Sequence, residues 1–373
     1  MNRPGWRTAT AISSSVLLAA SVGVTTAPAS GAAPAWQVVA SHLNNPRQLT
    51  FASSGALYVA EAGTGGSGPC MPGPEEGNVC FGTTGSVTEV TASGQRRVLT
   101  GLPSLAAEGT GEQALGTSDI VLRGSQKFVV AVGLGADPAV RTKLPAAGQA
   151  MGTLVTGKLR HGDWRVMADL AAHEARTNPI DTPDSNPVGL IRRGKRYIVA
   201  DAGGNTIVRA QRNGRTTTIA QFADVMVDAP ESLGMPAGSK IPMQFVPTSV
   251  AVGPDHALYI SQLTGFPFPV GAAKIWRLVP GHAPTVYASG LTNVTDLAFA
   301  PDGSLYAVEI AAKGLLAGPT GALVRIPAGG GSPTVVAGDL FAPYGIALHA
   351  GWVYLTVGSV APGAGQVVRM PLS

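Results

Sequence analysis

Five carboxylates recur at two kinds of position along this chain. Glu61, Asp201 and Glu309 each follow a short apolar strand, as Gln262 does, while Asp119 and Asp296 stand where other strands begin. Arg47-Gln48, Ser118-Asp119, Thr248-Ser249 and Thr295-Asp296 share that second position. Hard cations such as Ca²⁺ take oxygen ligands of this kind, and a bound divalent ion activates water or polarises a carbonyl. The metal set read from the sequence is therefore Glu61, Asp119, Asp201, Asp296 and Glu309. No cofactor is implied beyond one divalent cation such as Ca²⁺. Ligand contact is expected from Arg47, Gln48, Ser118, Asp119, Ser249, Asp296 and Gln262. The plainer alternative is that acids at strand ends accept hydrogen bonds from neighbouring turns. A recurring position is what such a structural role looks like.

Other chemistry finds no foothold. Gly63-Thr64-Gly65-Gly66-Ser67-Gly68 spells a dinucleotide-binding fingerprint, but Pro69, Cys70 and Pro72 follow where a helix must start. No serine lies in a G-x-S-x-G elbow. His173-Glu174 lacks the second histidine of a zinc protease motif. Cys70 and Cys80 are the only cysteines and fall in one loop, so a disulfide is expected there.

The elements that hold these residues repeat six times. Each copy has an inner strand, a tight turn and a second strand around an aromatic residue. The second strands are Leu57-Tyr58-Val59-Ala60, Lys127-Phe128-Val129-Val130, Arg196-Tyr197-Ile198-Val199, Leu258-Tyr259-Ile260-Ser261, Leu305-Tyr306-Ala307-Val308 and Val353-Tyr354-Leu355-Thr356. Third and fourth strands follow in most copies, which predicts an all-β, six-bladed β-propeller with four antiparallel strands per blade. Blade boundaries fall near residues 43, 104, 182, 245, 292 and 341. The last copy has three strands, and Trp36 to Leu43 resembles a fourth, so this N-terminal mature strand is expected to close the last blade. Long connections (62–85, 133–152, 263–273, 310–321, 103–118 and 223–244) gather on one face, where binding usually lives.

Residues 1–29 read as a signal peptide. Arg3 and Arg7 precede an uncharged stretch from Ala9 to about Thr25, and Ala27-Pro28-Ala29 is an A-x-A cleavage site, with Ser30-Gly31-Ala32 as a second candidate. Residues 30–373 are then a single propeller domain, secreted to the extracellular space and monomeric. Loss of two arginines lowers the net charge from +4 to +2. That balance is too weak to suggest nucleic acid, and no basic run supports one, so no nucleic-acid partner is expected. No membrane span is expected after cleavage, because the uncharged stretch 340–368 is broken by Pro and Gly.

Four stretches carry a family resemblance. Leu43-Asn44-Asn45-Pro46-Arg47-Gln48-Leu49, Tyr58-Val59-Ala60-Glu61-Ala62-Gly63, Asp184-Ser185-Asn186-Pro187-Val188-Gly189-Leu190 and Val199-Ala200-Asp201-Ala202-Gly203-Gly204-Asn205 resemble the ScyD/ScyE family of secreted bacterial proteins. The third blade is also similar to an NHL repeat. The resemblance implies a six-bladed propeller and no defined reaction. Gluconolactonase-type propellers share that plan and hold one axial divalent cation, but their ligand motifs have no counterpart here.

Three functions compete. The first is a secreted scaffold that binds a small molecule, peptide or cell-surface polymer through its long-loop face. The second is a metal-dependent hydrolase or lactonase at the channel mouth. The third is a structural interaction protein of the cell envelope.

Overall fold

The computed structural model describes residues 36–73, 77–178 and 182–372. The expected signal peptide lies outside these residues. Six antiparallel sheets follow one another along the chain, each in the strand order 1-2-3-4. The inner strands are Pro46–Phe51, Thr117–Arg123, Pro187–Arg193, Pro247–Val252, Val294–Phe299 and Ile346–His349. Blade 6 takes its fourth strand from Gln37–Leu43, which pairs antiparallel with Gly365–Pro371. The closure expected from the sequence is therefore present, and so are the six blades.

The core is divided like the fold. Each of the six interfaces between neighbouring blades has its own apolar cluster. Second strands have a neighbour on both faces, so Leu57–Glu61 and Leu305–Glu309 are buried throughout. Outer strands such as Thr285–Leu291 bury only Ala288 and Leu291, because water takes the place of a next sheet.

Pairing register reveals a slip that aligning the aromatics conceals. Pro46 pairs with Glu61, Pro247 with Gln262 and Val294 with Glu309, which puts Tyr58, Tyr259 and Tyr306 three residues before those partners. Thr117 pairs with Val132 and Pro187 with Asp201, which puts Phe128 and Tyr197 four residues before theirs. Shifting a strand residue by one turns its side chain to the other face. Tyr58, Tyr259, Tyr306 and Tyr354 accordingly pack toward the following blade, but Phe128 and Tyr197 pack toward the preceding one.

Long loops carry extra structure. Val225–Asp228 and Lys240–Met243 form a hairpin between blades 3 and 4. Cys70–Pro72 adds a short strand to blade 1, and Cys70 and Cys80 form the disulfide. Leu170–Thr177 is a helix capped by Asp169, whose carboxylate accepts from Ala172 N. Among the described residues no helix is long and apolar enough to cross a membrane.

Candidate binding channel

The third residue of each inner strand faces the axis at one level. In chain order these are Gln48, Asp119, Gly189, Ser249 and Asp296, with Gly345 completing the ring just before its strand. Blades 2 and 5 are opposite each other in a ring of six, so the two aspartates confront one another. Both are held the same way. Asp119 accepts from its own neighbour Ile120 N at 2.6 Å and from Leu190 N of the next blade at 2.6 Å. Asp296 accepts from Leu297 N at 2.8 Å, from Ile346 N of the next blade at 2.9 Å, and from Ser249 Oγ of the preceding blade at 2.6 Å. Glycine at the other two sites lets the blades approach. A Cβ on Gly189 would lie 2.6 Å from Thr248 O, and one on Gly345 would lie 2.7 Å from Arg47 O.

This ring is short of positive charge. Burial pushes the Asp296 carboxyl up to about 6. Burial, then the charge of Asp296, holds Asp119 well above the usual carboxylate range. Gln48 is buried, its Nε2 reaches Thr248 O only at 3.4 Å, and its Oε1 has no partner. Two carboxylates, an unpartnered amide oxygen and a hydroxyl are a donor set of oxygen alone, which fits a hard cation.

A cavity of about 240 Å³ adjoins the ring. Its lining runs from Gln48, Asp119, Ser249 and Asp296 onward to Thr50, Val121, Arg192 and Ala251. Those later residues approach the tight turns, and Arg192 is exposed. The channel therefore extends toward the short-turn face, opposite to the face expected from loop length. At its other end the protein covers itself. Arg47 donates from Nη1 to Ser359 O and from Nη2 to Ala114 O, both at 2.6 Å, and its guanidinium lies 4.8 Å from the Tyr344 ring centre. Burial lowers the pKa of this arginine, and the nearby tyrosine opposes the shift.

The remaining predicted site residues have protein partners. Ser118 Oγ donates to Ala131 O and Pro187 O, which stitches blade 2 to blade 3. Gln262 accepts from Trp276 Nε1 at 3.2 Å. Glu61 pairs with Arg97 at 2.7 Å and accepts from Asn44 N. Asp201 accepts from Asn186 N and Ser185 Oγ, and Glu309 from Thr292 N. These three acids thus each bind the backbone just ahead of their own blade's inner strand. Of the five carboxylates, only Asp119 and Asp296 line the channel. Among the described residues, one group of three acid, His or Cys ligands comes close enough for a metal, namely Cys70, Cys80 and Glu108. Its sulfurs are already joined to each other.

Sequence patterning missed two acids beside Asp201. Burial pushes Glu174 up to about 7, with Asp201 adding to the effect, and burial raises Asp184 as well. The only sequence signal for Glu174 was an incomplete zinc motif. Tyr344 was also missed, because only the fold brings it against Arg47.

No family model and no curated protein matches the sequence. Solved structures do match in shape. A glucose dehydrogenase gives a TM-score of 0.53 at 13% identity, covering 91% of this chain and 100% of its own. A protein of unknown function from Bacteroides thetaiotaomicron gives 0.53 at 8% identity, covering 90% and 75%. A virginiamycin B lyase from Staphylococcus aureus gives 0.47 at 10% identity, covering 90% and 99%. At these identities the likeness extends to the propeller fold and leaves the chemistry to this chain's own residues.

Proposed function

We propose that this protein is a secreted, monomeric binding propeller of ScyD/ScyE type that holds a hard divalent cation, with a small oxygen-rich ligand upon it, in the axial channel. The observation that carries this reading is the ring of Asp119, Asp296, Ser249 and the unpartnered Gln48 Oε1 at the covered end of the cavity. Two buried carboxylates without a counter-charge are costly unless protonated or bound to a cation. The leader-like N-terminus and the Cys70–Cys80 disulfide support export.

Calorimetric titration of chelator-treated protein with Ca²⁺, Mg²⁺ and Mn²⁺ tests the proposal. Wild type is expected to bind one equivalent of at least one ion. The double variant Asp119→Asn/Asp296→Asn is expected to bind none while keeping its circular dichroism spectrum. If all three ions give no heat with folded wild type, the reading is lost.

Metal-dependent hydrolysis is the second reading. It is favoured by the same ring of oxygen donors, where a bound divalent ion would activate water for attack on a carbonyl. Turnover of a lactone or aryl ester that needs both the ion and Asp296 would establish it. A purely structural envelope role would leave the channel without ion or ligand under every condition.

A further inference from the structure

A second cavity, of about 400 Å³, lies between blades 3 and 4. Its origin is the register slip. Blades 1, 4, 5 and 6 each send a tyrosine from the second strand into the interface that follows them. Blade 3 turns Tyr197 backward and presents Ile198 instead, while Tyr259 of blade 4 faces away toward blade 5. This interface therefore receives no second-strand aromatic from either side. Ile198, Ile219, Leu258, Leu278 and Pro280 line the space left over.

The same slip gathers charge at its rim. Arg325 of blade 5 pairs across from Tyr306 and reaches Asp302 at 2.8 Å, and Arg277 of blade 4 reaches Asp255 at 2.6 Å. In blade 3 the residue across from Tyr197 is Ala210, and Arg209 pairs with Ile198 on the cavity side. Arg193 and Arg196 join it there. Arg193 Nη2 donates to His256 O. Arg209 Nε is buried with no partner, and Arg196 makes no ion pair among the described residues. Among the described residues no carboxylate lines the cavity.

We infer that this cleft is a binding site for a small amphipathic carboxylate, its head on Arg196 and Arg209 and its apolar body against Ile198, Leu258 and Leu278. Guanidinium groups pair with carboxylates through parallel N–H···O bonds. A cavity of this size with an apolar floor and a few polar groups has the form of a small-molecule site. The inference is independent of the axial cation.

Octanoate is the probe, with octan-1-ol matching its tail and inorganic phosphate supplying an anion without one. Binding is followed by calorimetry on chelator-treated protein, so that failure of the channel proposal leaves this result intact. Octanoate is expected to bind, and Arg196→Gln/Arg209→Gln to weaken it about tenfold or more. Arg196→Gln alone, at an exposed position, is expected to weaken it less without altering the urea midpoint. Ile198→Tyr restores the aromatic that other blades carry and is expected to abolish binding in a protein at least as stable. Absence of octanoate binding to wild type overturns the inference. So does octanol or phosphate binding as tightly as octanoate, or octanoate affinity unchanged in the double arginine variant.

Discussion

Asp296 ties folding stability to pH in a direction that the channel dictates. Its carboxyl ordinarily titrates at 3.8 and in the fold at about 6. A gap of about 2 units, at about 1.4 kcal/mol each, corresponds to about 3 kcal/mol. The folded protein binds the proton more tightly than the unfolded chain. Below the unfolded value both states are protonated and the contribution is fully present. Between the two values the unfolded chain has released its proton and the folded one retains it, so each rise in pH favours unfolding. Above about 6 the loss is complete. Asp119, shifted the same way, adds to the trend. Asp296→Asn keeps the side-chain shape without the titration, at a cost for the lost acceptor that does not change with pH. Urea unfolding of both proteins in chelator should therefore show wild type losing about 3 kcal/mol relative to the variant from about pH 3 to about pH 7.5. Added Ca²⁺ should restore wild type more at the upper pH than at the lower, because the ionised pair is the form that binds. A wild-type advantage that stays flat or grows with pH would refute the reasoning.

Two further outcomes are expected. Leu43→Ala, at a fully buried position in the closing strand, should cost about 2–5 kcal/mol in urea unfolding; a loss under about 1 kcal/mol would mean that this strand is not packed into blade 6. Gly345→Ala places a methyl 2.7 Å from both Arg47 O and Gln48 Cα. Overpacking there should cost about 1–3 kcal/mol and weaken ion binding by displacing Gln48; unchanged calorimetry would detach Gln48 from the site.

The six blades were legible because each repeats an aromatic strand beside a tight turn, and pairing within a blade is local. The closing strand was legible from its likeness to other fourth strands. The hairpin 225–228 with 240–243 was not, because it lies in a stretch read only as a long connection. At the site, the level of Asp119 and Asp296 followed from strand position alone. The direction in which the channel extends did not, because Arg47 meets Ser359 O across 312 residues of sequence. The backbone-binding role of Glu61, Asp201 and Glu309 was legible as the plainer alternative from their recurring position, while the particular N–H each one meets was not. The arginine cleft depends on which face a strand presents, and a one-residue slip between blades is invisible when repeats are aligned by their tyrosines.

Ring closure also has a consequence in time. Gln37 and Arg369, bonded to each other at 3.1 Å, are 332 positions apart. The strand that seals the last blade must wait unpaired until nearly every other strand has emerged, and contacts so distant in sequence form slowly. A product cut short before residue 365 would lose more than its missing segment. Residues 37–43 would have no partner strand, and the seam between blade 6 and blade 1 would stay open with its apolar surface in water. Such a fragment should be recognised as unfinished by proteases and chaperones, so the latch doubles as a check that the whole chain has been made.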